Sequence, residues 1–165
     1  MSLRASSPSS LVLLVENHID TREMYAEWLM FSGFRVEGAA TVDEAMEKVH
    51  RLRPDIVTID IGLGAGGDGC DLCARLKAAD HTKAIIVIVV TGWVFGGHIE
   101  RARQAGCDSV LTKPCLPDEL GAEICRLLNV SKPKLSPASE QAVRLPQDGV
   151  GTTTTLGLNR LERRF

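Results

Sequence analysis

The sequence predicts an α/β fold in which five strands of a parallel sheet alternate with five helices. Short β-branched runs recur at residues 11–15, 55–61, 84–90 and 108–112, and segments with helical periodicity separate them. The run at 84–90 has no polar alternation, which is typical of a central strand covered on both faces. Regular alternation of strands with helices favours a parallel sheet over an antiparallel one.

The first strand comprises Leu11–Val15, and a helix follows it. Asp20 and Glu23 stand at the spacing of a capping box, in which two side chains satisfy backbone N–H groups at the start of a helix. We expect this helix to run to about Ser32. Gly33 would end it, since glycine readily adopts the left-handed conformation that closes many helices.

The second strand is predicted at Phe34–Gly38, where apolar and charged residues alternate as they do in an edge strand. Thr41 and Glu44 form a second capping-box pattern and begin a helix that Pro54 ends. The apolar residues on one face of this helix are Ala45, Val49 and Leu52.

The second half of the chain continues the alternation. Its predicted elements are strand 55–61, helix 69–79, strand 84–90, helix 99–104 and strand 108–112. Pro117 then begins a last helix, because proline suits the first helical position. The apolar face of that helix consists of Leu120, Ile124, Leu127 and Leu128.

Composition narrows the class of protein. The 165 residues are 44% hydrophobic and 24% charged, with a net charge of −2, which is typical of a globular domain without the basic face that nucleic-acid binding requires. No apolar run approaches the roughly 20 residues that span a bilayer, and the N-terminus lacks a signal-peptide pattern. An odd number of cysteines, five, favours reduced thiols. We therefore expect a cytoplasmic protein that binds neither membranes nor nucleic acid.

The domain organisation follows from changes in composition along the chain. Residues 1–10 are polar and rich in serine, and we expect a disordered leader there. Residues 11–130 contain all the predicted strands and helices and form one domain. Prolines, an Asp-Gly pair and four threonines are typical of a flexible or disordered tail at residues 131–165.

Polar residues stand at the ends of four predicted strands. The third strand ends on Asp60, the first is followed by Glu16 and Asn17, the fourth by Thr91 and the fifth by Lys113. Carboxyl ends of parallel strands lie along one edge of a sheet, where ligands bind. Acid, amide, hydroxyl and ammonium groups are therefore predicted to converge in one crevice, with Asp60 as the reactive group.

The order and spacing of these residues, together with Asp68-Gly69 after the acid and a proline after Lys113, resemble the response-regulator receiver domain of bacterial two-component signalling. The resemblance covers about residues 11–129. It implies a doubly wound, flavodoxin-like fold with strand order 2-1-3-4-5 and helices on both faces of the sheet.

The resemblance also implies a reaction. Asp60 matches the residue that accepts a phosphoryl group from the phosphohistidine of a histidine kinase or a phosphotransfer protein. Lys113 matches the ammonium that pairs with the incoming phosphoryl group, and Thr91 matches the hydroxyl that hydrogen-bonds it. The domain itself would then be a phosphoacceptor in signalling and no stand-alone enzyme.

A metal site is implied in the same way. Glu16, Asn17, Asp60 and the backbone carbonyl of Gly62 match the family's ligands for Mg²⁺, a cation that prefers oxygen ligands and neutralises charge during phosphoryl transfer.

The sequence departs from the family pattern at three places. Asn17 replaces the second of two acids, so the metal site has one negative charge fewer. The loop before Gly69 lacks the usual proline and is one residue longer. Val110 stands where an aromatic residue often changes rotamer on phosphorylation, which leaves Trp93 or Phe95 as candidates to report or carry the change.

Two other motifs have ordinary structural interpretations. Gly62, Gly64 and Gly67 match the dinucleotide-binding pattern, but the acid some 20 residues later, Asp80, precedes a strand when it should end one, so a flexible loop is favoured. The CxxC motif at Cys70–Cys73 lacks two further zinc ligands and is better explained by helix packing.

Three functions are compatible with these observations. The first is a single-domain response regulator that acts through phosphorylation-dependent binding of a downstream protein or through phosphorelay. The second is a receiver-like binding module whose phosphorylation is lost or weakened. The third, an aspartyl-phosphate hydrolase, is disfavoured because Gly62 stands where such enzymes place a second acid. Whether the domain forms a weak homodimer is left open, as is the identity of its kinase.

Overall fold

A computed structural model describes residues 9–128 of the chain. Their elements, in chain order, are β1 (Leu11–Val15), α1 (Ile19–Phe31), β2 (Arg35–Ala39), α2 (Val42–Leu52), β3 (Ile56–Asp60), a 3₁₀ turn (Gly64–Gly66), α3 (Gly69–Ala78), β4 (Ile86–Thr91), α4 (His98–Gln104), β5 (Ser109–Thr112) and α5 (Pro117–Leu128). All five predicted strands and all five predicted helices are present.

The five strands form one sheet in the order β2-β1-β3-β4-β5, and every neighbouring pair is parallel. This confirms the predicted fold class and strand order. The order reverses between β1 and β3, so the loops after these two strands diverge and leave a crevice at the carboxyl edge of the sheet.

Two apolar layers cover the sheet, because successive side chains of a strand point to opposite faces. In β1, Leu13 and Val15 join the core formed with α2 and α3, whereas Val12 and Leu14 join the core formed with α1 and α5. Of the four inward residues predicted for α5, Leu120 and Ile124 are fully buried, whereas Leu127 and Leu128 are only partly buried against the same core.

One predicted helix start is wrong. Helix α1 begins at Ile19 with His18 as its N-cap, and no side chain caps it, so Asp20 and Glu23 do not form a capping box. The carboxylate of Glu16 accepts the N–H of His18 at 2.9 Å, and the N–H of Arg22 already donates to the carbonyl of His18 at 3.0 Å. These bonds start the helix before Asp20 is reached.

The second predicted capping box is confirmed. The Thr41 hydroxyl accepts the N–H of Glu44 at 3.2 Å, and the Glu44 carboxylate reaches back to the N–H of Ala40 at 2.8 Å. Helix α2 then ends at Leu52, where Arg53 adopts the left-handed conformation, with Pro54 following.

Several predictions lie outside the described residues. These are most of the leader at residues 1–10, the tail at residues 131–165 and the outer boundaries of the domain. Among the helices that the structure describes, none is long and apolar enough to cross a membrane.

Candidate functional site

The carboxyl edge of the sheet brings the predicted side chains together. Asp60 is the last residue of β3 and Thr91 the last of β4, while Glu16 directly follows β1 and Lys113 directly follows β5. A residue at the end of a buried strand has little freedom to move, because the sheet fixes its backbone on both sides. The topology therefore places these groups around one crevice.

Lys113 joins the two acids of this crevice. Its ammonium lies 2.7 Å from Oδ2 of Asp60 and 2.8 Å from Oε2 of Glu16. Burial alone would lower the pKa of Lys113, but hydrogen bonds and charge attraction from Asp60 and Glu16 outweigh it, so the pKa is raised. Lys113 is therefore a fixed cation at neutral pH.

Each carboxylate also accepts a backbone hydrogen bond within its own loop. Oδ1 of Asp60 accepts the N–H of Gly62 at 3.0 Å, and Oε1 of Glu16 accepts the N–H of His18 at 2.9 Å. The side chain of Asp60 is 11% exposed, so an attacking or donating group can still reach it from solvent.

Thr91 is buried at the end of β4, and it is held through two atoms. Its hydroxyl oxygen accepts the N–H of Trp93 at 3.0 Å, and its backbone carbonyl accepts the N–H of Lys113 at 2.8 Å. The bond from Trp93 uses a lone pair of the hydroxyl, which leaves the O–H able to donate to a further acceptor.

The donors on this edge fit a hard divalent cation. Oδ1 of Asn17 is buried and has no hydrogen-bond partner, and an unsatisfied buried oxygen is unfavourable unless something binds it. Glu16, Asp60 and the carbonyl of Gly62 would add further oxygens, the ligand type that Mg²⁺ prefers. The described residues contain no group of three or more acidic, histidine or cysteine side chains that could hold a metal ion, so a cation here would also need amide and carbonyl oxygens.

Comparison with known proteins identifies the family. The sequence model of the response regulator receiver domain matches residues 12–125. The chain belongs to this family. The polar-differentiation response regulator DivK of Brucella anthropi is 29% identical over 107 residues, a match that spans 65% of this chain and 85% of DivK.

Other receiver domains belong to longer proteins. The phosphate regulon regulatory protein PhoB of Escherichia coli is 31% identical over 134 residues, and the response regulator MprA of Mycobacterium leprae is 34% identical over 124 residues. These matches cover 80% and 74% of this chain but only 56% and 52% of PhoB and MprA. The chain thus spans about half of these two relatives.

Solved structures share the fold over the described region. A response regulator from Chloroflexus aurantiacus superposes with a TM-score of 0.69 at 27% identity, over 73% of this chain and 98% of that one. The chemotaxis response regulator CheY4 of Vibrio cholerae gives a TM-score of 0.67 at 24% identity, over 72% and 98% of the two chains.

The receiver domain contains functional neighbours that sequence reasoning missed. Tyr25 of α1 lies beneath the crevice, where its hydroxyl donates to the carbonyl of Cys115 at 2.7 Å and burial raises its pKa to about 12. Together with Glu16, Thr58 and Lys113 it lines a cavity of about 10 Å³, which is room for roughly one water molecule. In the sequence, Tyr25 is one of several apolar residues of the first predicted helix, and no motif distinguishes it from the others.

Gly69 was easier than Tyr25 to recognise in the sequence, because it directly follows Asp68, the N-cap residue of α3. A Cβ at Gly69 would lie only 2.2 Å from the backbone oxygen of Asp60, so the first turn of α3 packs directly on the end of β3. Asp68 caps that turn by accepting the N–H of Cys70 at 2.7 Å, and it pairs with Arg101 of α4 at 3.1 Å.

The structure also shows the surroundings of Val110, Trp93 and Phe95, the positions at which the sequence departs from the family's aromatic residue or offers a substitute for it. Val110 packs in a small core between β5 and the helices α3 and α4, and it has no aromatic ring to move. Trp93 is 58% exposed, but its Cζ2 lies 4.0 Å from the position of a Cβ on Gly62, beside the site. Phe95 is 86% exposed.

The two motifs set aside in the sequence have the expected ordinary roles. Cys70 and Cys73 are free thiols buried on the inward face of α3, as helix packing requires. Gly64 lies in the 3₁₀ turn, and Gly67 ends that turn with a positive φ, so these glycines shape a loop after β3.

Proposed function

We propose that Asp60 accepts a phosphoryl group from the phosphohistidine of a histidine kinase or a phosphotransfer protein. A carboxylate oxygen of Asp60 attacks phosphorus, the new P–O bond forms as the P–N bond breaks, and the imidazole nitrogen keeps the electron pair and takes up a proton. The observation that carries this proposal is the ammonium of Lys113 only 2.7 Å from Asp60, with the Thr91 hydroxyl at the end of the adjacent strand.

Lys113 and Thr91 act on the phosphoryl oxygens in this proposal. Lys113 exchanges part of its contact with Glu16 and Asp60 for an ion pair with the arriving group, and Thr91 donates its hydroxyl hydrogen. Glu16, Asn17, Asp60 and the carbonyl of Gly62 would hold Mg²⁺. A bound Mg²⁺ supplies positive charge that offsets the negative charge on the transferring group.

We also propose that the domain signals as a single-domain response regulator in the cytoplasm. Its output would be binding of a downstream protein or transfer of the phosphoryl group onward. Support comes from the similarity to DivK, whose length is matched over 85%. Partners are therefore proteins, namely a kinase or phosphotransfer protein and a downstream target.

A second candidate is a receiver-like binding module with weakened phosphorylation. Asn17 removes one charge from the metal site, and Val110 removes the aromatic residue of the usual switch. In that case the exposed surface of the domain would bind its partner regardless of phosphorylation.

Phosphorylation with acetyl phosphate and Mg²⁺ separates the two candidates. Intact-mass measurement should show one added phosphoryl group on the wild type, which hydroxylamine removes, and none on Asp60→Asn. Asp80→Asn is the matched control, because it removes the same charge at a side chain that is 94% exposed and bonded only to Lys83 among the described residues. Equal labelling of wild type and Asp60→Asn contradicts the site assignment. An unlabelled wild type favours the binding module.

A further inference from the structure

We infer that Arg22 is a positioning residue for the acid crevice and that Gly38 leaves it the room to act. The inference rests on the proposed function, because it concerns the turn that carries Glu16 and Asn17. Arg22 lies in the first turns of α1, and its guanidinium Nη1 donates to the backbone carbonyl of Glu16. The N–H of Glu16 donates to the carbonyl of Ala39 at 3.0 Å. The backbone of Glu16 is thus held on one side by β2 and on the other by Arg22.

Gly38 lies beneath the stem of Arg22 at the end of β2. A Cβ at position 38 would lie 2.9 Å from Cδ of Arg22, closer than real Cβ atoms come to a neighbour, and 3.1 Å from Nε, which is a tight contact. Any larger residue at this position must therefore push the arginine aside. Arg22 and Gly38 therefore act together. Gly38 leaves space for the side chain of Arg22, and the guanidinium of Arg22 fixes the turn after β1 through its bond to Glu16.

Holding this turn matters because it orients two oxygens of the metal site. Oε1 of Glu16 is bonded to the N–H of His18 within the same turn, and Oδ1 of Asn17 has no partner. Ligands that their neighbours hold in place bind a metal more tightly, since less freedom is lost on binding. Loss of Arg22 should therefore loosen the carboxylate and the amide together.

The sign of the effect distinguishes positioning from simple electrostatics. Arg22 is a cation, so its charge repels Mg²⁺, and removing only that charge would tighten binding. Removing the bond to Glu16 would weaken binding. The two roles therefore lead to opposite expectations for a variant that lacks the guanidinium. If Arg22 contributes only charge, Mg²⁺ affinity should rise, and if Arg22 positions the turn, Mg²⁺ affinity should fall.

Lys48 offers a matched control at the same edge of the sheet. Its ammonium donates to the carbonyl of Gly38 and pairs with Glu44 at 3.0 Å and Glu37 at 3.8 Å. No bond in the structure joins it to the turn after β1. Lys48→Met and Arg22→Met each remove one positive charge, but only Arg22→Met removes the contact with Glu16.

The experiment measures Mg²⁺ affinity by titration of the four proteins, using tryptophan fluorescence or calorimetry. Arg22→Met should weaken binding roughly tenfold, the size that loss of a supporting residue around a metal site typically produces. Gly38→Val should weaken it in the same direction although it keeps every charge. Lys48→Met should bind Mg²⁺ at least as tightly as wild type. If Arg22→Met fails to fold, Arg22→Lys, which keeps one donor, should show an intermediate affinity.

Exchange of the His18 amide with solvent provides a readout without metal. Because this N–H donates to Oε1 of Glu16, it should exchange faster in Arg22→Met and Gly38→Val than in Lys48→Met. Equal exchange in Arg22→Met and Lys48→Met, or Mg²⁺ binding by Arg22→Met as tight as in wild type, overturns the inference. If wild type binds no Mg²⁺, the proposed metal site fails, and the His18 measurement alone decides the role of Arg22.

Discussion

Lys113 holds the carboxylates of Asp60 and Glu16 next to each other. Two neighbouring carboxylates repel each other, and a cation between them offsets that repulsion. The ammonium lies within 2.8 Å of both, and backbone N–H groups hold the remaining oxygen of each. The two carboxylates already carry one negative charge more than a single ammonium neutralises, and a third acid at position 17 would raise that excess to two charges. Asn17 is therefore the residue whose replacement should say most about the metal site.

We predict that Asn17→Asp tightens Mg²⁺ binding and lowers the stability of the metal-free protein. The added carboxylate contributes formal charge to the cation, and affinity of such sites rises with the charge of the ligands, so a change of roughly tenfold or more is expected. Without metal the same charge repels Glu16 and Asp60. Fluorescence titration and thermal melts with and without Mg²⁺ measure both effects.

Asn17→Ala is the control for this prediction. It removes the unpartnered amide oxygen without adding charge, so Mg²⁺ affinity should fall while metal-free stability changes little. If neither substitution changes Mg²⁺ affinity, position 17 is no ligand and the proposed placement of the metal is wrong.

Two glycines next to the site should respond differently to the same added methyl group. At Gly69 the new Cβ would lie 2.2 Å from the backbone oxygen of Asp60, which cannot turn away as a side chain can. At Gly92 it would meet only Cβ of Lys113 at 3.9 Å, an ordinary contact. We predict that Gly69→Ala destabilises the domain by about 1–3 kcal/mol or more, whereas Gly92→Ala leaves stability unchanged.

Phosphorylation rates complete this comparison. If Gly92 is small so that a phosphoryl group can enter, Gly92→Ala should keep the wild-type melting temperature and still accept phosphate from acetyl phosphate more slowly. A Gly92→Ala protein with the wild-type rate shows that the space beside Lys113 does not limit entry. A Gly69→Ala protein with wild-type stability shows that α3 can move away from Asp60.

At the scale of elements, Asp68 links three parts of the fold. Its carboxylate caps α3 and pairs with Arg101 of α4, and its backbone forms an isolated bridge with Gly62 in the loop after β3. Burial raises the pKa of Asp68, but the N–H of Cys70 and the guanidinium of Arg101 outweigh burial and leave that pKa lowered. A lowered pKa means that the stabilisation is complete above the ordinary aspartate range and is lost as pH falls through the lowered value.

We predict that Asp68→Ala lowers the free energy of unfolding by about 1 kcal/mol at neutral pH, the usual effect of losing an N-cap. The difference from wild type should begin to shrink as pH falls through the ordinary aspartate range, where the unfolded chain takes up the proton, and should vanish once pH has fallen through the lowered pKa of the folded protein. Asp68→Asn keeps a capping side chain but loses the ionic pairing, so it should be less harmful. Denaturant unfolding at several pH values measures these differences, and a pH-independent deficit in Asp68→Ala would contradict the argument.

The two capping-box patterns show what local sequence can and cannot predict about element boundaries. Thr41 and Glu44 cap α2 as their spacing predicts, because only neighbouring residues take part. Asp20 and Glu23 have the same spacing, yet α1 begins before them since Glu16, drawn into the crevice by Lys113, also holds the N–H of His18. The carboxylate that accepts the N–H of His18 is thus also bound by a residue 97 positions away, a contact that the local sequence does not reveal.

At the scale of the molecule, the sheet order and the crevice could be predicted because few facts determine them. Polar residues after four apolar strands must meet at one edge once the strands are parallel. The supporting residues could not be predicted in this way. The contact of Arg22 with Gly38, and that of Tyr25 with Cys115, depend on how helix α1 rotates over the sheet, and the apolar pattern fixes that rotation only coarsely.

The same reasoning leads to a prediction about the length of chain that the fold needs. Helix α5 completes the core on one face of the sheet, with Leu120 and Ile124 buried against β1 and β4 residues, and the family match ends at residue 125. Residues 131–165 contain Pro133, Pro137 and Pro146 and a run of threonines, a composition that offers no apolar face to pack.

We therefore predict that a chain ending at Val130 keeps its melting temperature within a few degrees of that of the 165-residue chain, because the composition of the removed residues offers no apolar face to pack. Thermal unfolding followed by circular dichroism compares the two chains, and phosphorylation by acetyl phosphate should proceed equally in both. A chain ending at Leu116 is the control, and it should not fold, since it lacks α5 and leaves the apolar face of β1 and β4 uncovered. A large loss of stability in the longer truncation would mean that the segment from Leu158 to Phe165 packs against the domain, contrary to its composition.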